Sequence, residues 1–124
     1  MYICIGGYRG FNEYEKFKAA VIKVFQEWNI SLEENKKDIV IVSGASPGAD
    51  ALAERFADEF GLQKKIEKPD WNNYGKAAGP MRNSAMIKIA THFIGFPSKY
   101  GRGTQDTIRK AQKKGIPTKV LFVD

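Results

Sequence analysis

The chain has 124 residues, 43% apolar and 27% charged, the balance of an ordinary globular protein that reads as one domain over residues 1–124. Its longest apolar runs fall well short of the roughly 20 residues a membrane helix needs, and no basic leader precedes the first apolar segment, so a cytosolic location without a membrane partner is expected. Twenty basic against 14 acidic residues leave a net charge of +6, which suits anionic ligands, but no recognition-helix or aromatic-platform motif accompanies it and nucleic acid is not an expected partner.

The first element is the short apolar run Tyr2–Ile5, which ends in the glycine cluster Gly6-Gly7-Tyr8-Arg9-Gly10. Its Cys4 is the only cysteine, which excludes an internal disulfide and a thiolate metal cluster within one chain. Asn12 has the position to cap the next helix, with Glu15 placed to return the hydrogen bond. Tyr14, Phe17, Val21, Val24, Phe25 and Trp28 then recur at helical spacing and demand a buried face, which explains these aromatics better than a cofactor role.

The centre of the chain is the next strand, glycine turn and helix. Asp38–Val42 reads as a buried strand, and Ala49, Leu52, Ala53, Phe56, Ala57 and Phe60 form one helical face. Between them lies Ser43-Gly44-Ala45-Ser46-Pro47-Gly48. Gly44 and Gly48 permit close approach of a ligand to the backbone, Pro47 suits the first turn of a helix, and the whole makes a candidate anion-binding turn. It matches neither the dinucleotide fingerprint nor the Walker sequence. Asp50 stands in the first helical turn, where it either caps amides or accepts a hydrogen bond from a polar ligand group. Glu54, Asp58 and Glu59 read as solvated surface carboxylates, and without a histidine beside them no metal site is expected.

Gly61 closes that helix, and Leu62–Lys68 is expected to be a short strand with Ile66 pointing inward. The stretch from Pro69 to Lys76 has no periodicity. Its Trp71 and Tyr74 either close the core edge or stack on a flat base, and Lys76 either meets a phosphate or stays in water. Gly79-Pro80-Met81-Arg82-Asn83 opens a helix to about Ala90, with Met81, Ala85 and Ile89 in one row. Arg82 sits near the positive end of that helix, an arrangement that costs less when an anion is also present, and Asn83 either joins that contact or caps locally.

His92–Phe96 reads as the fourth strand, with His92 at its end and in a local hydrogen bond. Ser98 to Thr104, with Gly101 and Gly103, forms a second candidate phosphate turn before a helix running to Lys114, which Gly115 ends. Lys119–Val123 is the last strand. Strand and helix alternate and the strands are apolar throughout, which predicts an α/β, doubly wound parallel sheet of about five strands and four main helices, with the glycine turns at one sheet edge.

Taken together, Gly6-Gly7-Tyr8-Arg9, Ser43 to Asp50, Pro69-Asp70-Trp71, Tyr74 to Asn83 and Gly101-Arg102-Gly103-Thr104 resemble the SLOG superfamily. This Rossmann-like group includes YspA- and YpsA-like proteins, DprA and the Lonely Guy and lysine-decarboxylase-like proteins. The similarity is to its small YspA-like branch and spans nearly the whole chain. It implies a crevice for a nucleotide or nucleotide-derived ligand, such as ADP-ribose, with Arg82 in a contact role.

Lonely Guy relatives hydrolyse nucleoside 5′-monophosphates to a base and ribose 5-phosphate, using a glutamate three residues past the threonine of their glycine-threonine motif. Here that position is Thr107. Asp106 takes the role only if the turn is shifted by one residue, and Asp50 is the other candidate catalytic carboxylate. The resemblance thus implies binding without turnover ahead of phosphoribohydrolase activity, with a non-catalytic interaction module as a further reading. Those relatives commonly dimerise, which leaves a homo-oligomer open. No organic cofactor is expected, and the decarboxylase label of some relatives does not transfer, since nothing isolates a cofactor lysine.

Overall fold

A computed structural model describes all residues, 1–124. Five parallel strands form one sheet in the order β3-β2-β1-β4-β5: β1 is Tyr2–Gly7, β2 Val40–Ser43, β3 Gln63–Ile66, β4 His92–Phe96 and β5 Thr118–Val120. This is a doubly wound, Rossmann-like arrangement, and β1 is its central strand. The chain winds outward from β1 through β2 to β3, then returns to lay β4 on the other side of β1. Between β1 and β4 the winding direction therefore reverses.

The alternation of side chains along the strands divides the core into two layers. Ile3, Ile5, Ile39, Ile41, Ile94 and Phe96 point to one face and meet helices α1 (Tyr14–Glu27) and α2 (Ala49–Phe60). Phe17 is fully buried there, between Phe96 at 4.9 Å and Phe56 at 6.4 Å between ring centroids. Cys4, Val42 and Phe93 point to the other face and meet α4 (Ala78–Ile89) and α5 (Gly103–Lys114). The Cys4 thiol is wholly enclosed, and burial pushes its pKa far above the ordinary thiol value, with the nearby Asp50 charge adding to the rise.

Several local expectations need correction. Helix α1 starts after Glu13 with no side-chain cap, so Asn12 and Glu15 form no capping box. Strand β3 is exposed along its length: Ile66 lies in water, and Leu62, just before the strand, is the residue that enters the core. β3 is an outer strand, its Lys64 pairs with Asp58 of α2 at 2.7 Å, and its lysines suit an edge. The Pro69–Lys76 stretch contains one helical turn, α3 (Trp71–Tyr74), capped by Asp70, whose side chain accepts the Asn73 amide at 3.2 Å. In α4 the buried row is Asn83, Met86, Ile87 and Ala90, whereas Met81 and Ala85 are exposed. The carboxylates of α2 also bond across elements. Glu54 accepts the Ser43 hydroxyl at 2.8 Å, and Glu59 accepts the Tyr14 hydroxyl at 2.7 Å and pairs with Lys18.

Candidate functional site

A cavity of about 430 Å3 opens where the winding reverses, beyond the carboxyl ends of β1 and β4, the place where open α/β sheets receive ligands. It is lined by Gly6, Gly7, Phe93 and Met86 together with the turn after β1, the turn after β2 with the start of α2, Trp71 of the Pro69–Lys76 stretch, the start of α4, and the loop entering α5 with its first turns. Among the residues expected from sequence, it brings together Gly6, Gly7, Arg9, Asp50, Trp71, Arg82, Asn83, Gly101, Gly103 and Thr104. Gly44, Gly48, Tyr74, Lys76 and Asp106 do not line it.

The glycines away from the wall have packing reasons. Gly48 has φ +78°, and a Cβ there would lie 2.2 Å from the Tyr8 carbonyl oxygen, so it lets the turns after β1 and β2 cross. The Tyr8 carbonyl accepts the amide of Ala49, which locks that crossing. At Gly44 a Cβ would come within 2.8 Å of both the Arg82 guanidinium and the Asp50 carboxylate. This glycine clears the space through which Arg82 reaches from α4 to the turn after β2. Its neighbour Ala45 holds a left-handed φ of 64°, an uncommon conformation for a residue with a side chain. Pro47 precedes the Gly48 cap rather than sitting inside α2.

Asp50 is the single carboxylate on the wall and only 5% exposed. Burial pushes its pKa up to about 6, against the pull of the Ser46 amide, the Arg82 charge and the Gly7 amide. Its Oδ2 accepts the Ser46 amide at 3.2 Å.

Arg82 donates from Nε to Asn83 Oδ1 at 2.9 Å and from Nη1 to the Gly44 carbonyl. Its Nη2 has no protein acceptor. Arg9 and Arg102 also reach the cavity, so three arginines face one partly neutral carboxylate. At the entrance to α5, the amides of Gly103 and Thr104 have no acceptor and no side chain caps the helix, which leaves an open, positively polarised end beside Arg102.

Residues that sequence reasoning did not assign to the site include Tyr8, Ser46, Ser98, Met86, Phe93 and Thr107. Ser98 is buried and donates to Asp124 Oδ2 at 2.7 Å, while Asp124 Oδ1 accepts the Lys99 amide at 2.8 Å. The carboxylate beyond β5 thereby holds the loop entering α5. Met86 and Phe93 carry only a core-packing signal in sequence. Thr107, which stands where the resemblance to Lonely Guy proteins puts their glutamate, lies on the wall and is 6% exposed. Asp106 turns to α4 instead, accepting from Asn83 Nδ2 at 3.1 Å and Lys110 Nζ at 2.7 Å. No group of three His, Cys, Asp or Glu side chains converges as a metal site would.

Fold and crevice together define a doubly wound α/β protein of the SLOG type, with a basic cavity at its switch point. Residues 1–74 match the family described as YspA, cpYpsA-related SLOG, and the chain belongs to that family. It is 34% identical over 92 residues to the Gene 61 protein of Mycobacterium phage D29, an alignment covering 69% of this chain and 74% of that protein. Among solved structures it is similar to DNA processing protein A of Streptococcus pneumoniae, with a TM-score of 0.70 and 18% identity over 96% of this chain. It is also similar to the protein TM1055, with a TM-score of 0.65 and 15% identity over 94% of this chain and 71% of that one. The chain spans 49% of DNA processing protein A, and at these identities both likenesses concern the fold. No helix is long and apolar enough to cross a membrane.

Proposed function

We propose that the crevice binds a nucleotide or nucleotide-derived ligand and retains it without turnover, as a sensor or sequestering protein would. The observation that carries this reading is that Arg82, whose Nη2 has no acceptor, and the open amides of α5 line one cavity. A phosphate there receives charge-assisted hydrogen bonds from both. Trp71 and Tyr8, both exposed at the mouth, offer flat faces to a base. Retention without turnover is favoured because Thr107, at the position of the Lonely Guy glutamate, cannot supply the charge that glycosidic cleavage needs.

The alternative is a phosphoribohydrolase, and one observation favours it. Asp50 combines a wall position with a pKa of about 6, which suits proton transfer near neutral pH. Asp106 has no such position, because its carboxylate is engaged between α4 and α5. The test is incubation with nucleoside monophosphates, ADP-ribose and cyclic nucleotides, following bound ligand and released base together by mass spectrometry. Retained intact ligand, with affinity lowered about ten- to a hundredfold in Arg82→Ala, supports the binder. Base release that Asp50→Asn abolishes establishes the hydrolase. Amide chemical shifts unmoved by saturating nucleotide reject both and favour a protein-interaction module.

A further inference from the structure

Arg82 and Asn83 are consecutive helical residues, and consecutive side chains diverge by about 100° around a helix. Even so, the Arg82 Nε donates to Asn83 Oδ1 at 2.9 Å. Something must hold the Asn83 carboxamide in that pose. Asn83 is 7% exposed, and its Nδ2 donates to Asp106 Oδ2 at 3.1 Å across the α4 and α5 packing. Lys110 fixes the carboxylate in turn, donating to Asp106 Oδ2 at 2.7 Å and to the Pro80 carbonyl at 2.8 Å. Arg109 approaches Oδ1 at 3.6 Å but is largely exposed. The carboxamide has one workable orientation. Reversed, it would set two donors against each other at Arg82 and two acceptors at Asp106.

We infer that Asp106 is a positioning residue: acting through the Asn83 carboxamide, it aims the Arg82 guanidinium into the crevice. The inference rests on the proposed role of Arg82 and removes Asp106 from acid-base chemistry. Lys110, Asp106, Asn83, Arg82 and Gly44 form a continuous chain from α5 through α4 to the turn after β2. Burial would raise the Asp106 pKa, but the Lys110 and Asn83 hydrogen bonds outweigh it and hold the carboxyl below its ordinary value. The acceptor is therefore an ionised carboxylate at neutral pH.

The test compares Asp106→Ala with Asp106→Asn, whose remaining carbonyl oxygen still accepts from Asn83. The first readout needs no ligand: exchange and chemical shift of the Arg82 Nε–H by NMR. It is expected to stay protected in wild type and Asp106→Asn and to exchange about tenfold faster or more in Asp106→Ala. The second readout is AMP affinity, expected to fall about tenfold in Asp106→Ala and to stay within about twofold in Asp106→Asn. Should Asp106→Ala fail to fold, Asn83→Ala removes the Nε acceptor itself, the link through which Asp106 acts, and is expected to give the same two results. An Arg82 Nε–H as protected in the Ala variants as in wild type overturns the inference, as do equal changes in Asp106→Ala and Asp106→Asn, which would mark a charge effect. Unchanged AMP binding in Arg82→Ala instead overturns the assignment of Arg82, while the Nε–H readout still decides the chain of contacts.

Discussion

Asp50 accepts the Ser46 amide at 3.2 Å, and by doing so seats a carboxylate of the chain itself at the start of α2. The two glycine-rich turns are consequently unequal. The one before α2 already holds a carboxyl group of the chain, while the one before α5 has amides with no acceptor. For the proposed ligand, a phosphate would find its electrostatic place at α5, leaving Asp50 to the uncharged part of the same molecule.

Asp50 should give the fold a pH dependence of unusual sign for a carboxylate. Its folded pKa of about 6 lies above its unfolded value, so between the two the native state holds a proton that the unfolded chain has released. Stability from this group is fully present at low pH and is lost as pH rises through about 6, by at most about 3 kcal/mol. His92 contributes the opposite slope over part of this range, since burial lowers its pKa. Urea denaturation of wild type and Asp50→Asn at pH 5 and pH 7.5 separates the two. Wild type should lose stability relative to the variant on going to pH 7.5, and a constant difference would refute the buried-acid assignment.

The glycines of the two turns should respond oppositely to alanine. Gly48→Ala forces a Cβ onto the Tyr8 and Arg9 carbonyl oxygens at positive φ, and a loss of roughly 2 kcal/mol or more is expected. At Gly103 an added Cβ meets nothing within 4 Å and φ is not positive. Stability should stay within about 0.5 kcal/mol there, while nucleotide affinity falls because the methyl stands where a phosphate would approach. Denaturation and calorimetric titration of the two variants check this, and undiminished affinity in Gly103→Ala would remove the phosphate from α5.

Phe17 joins α1 to the sheet and to α2, with its ring among those of Phe11, Tyr14, Phe56 and Phe96. Phe17→Ala should cost about 3–5 kcal/mol, read as a lowered urea midpoint with little change in slope. A loss under about 1 kcal/mol would mean that the cluster closes over the gap.

Much of this architecture was readable from local pattern. The second helix runs over Ala49–Phe60 as its periodicity and Gly61 indicate, because a strong apolar stripe and a left-handed closing glycine coincide. The parallel, doubly wound sheet likewise follows from short strands, apolar in all but the poorly patterned Leu62–Lys68 segment, alternating with helices. Patterns failed where tertiary contacts set the outcome. In α4 a buried asparagine joins the inward row, so the apolar row of Met81 and Ala85 faces water. Within the crevice, the glycine turns, Asp50 and Arg82 were legible, but nothing local announces that Phe93 and Met86 line it or that Gly44 is small to make way for Arg82.

The solitary thiol of Cys4 supplies a natural stopwatch for the molecule. It lies fully enclosed on the central strand, with its reactive thiolate form suppressed by burial and by Asp50. An alkylating reagent can reach it only when the layer of α4 and α5 parts from the sheet, so each labelling event records an opening beneath the crevice. Mass-resolved labelling of the unmodified chain then times that opening without any introduced dye, and a ligand that bridges Arg82 and α5 should slow the clock.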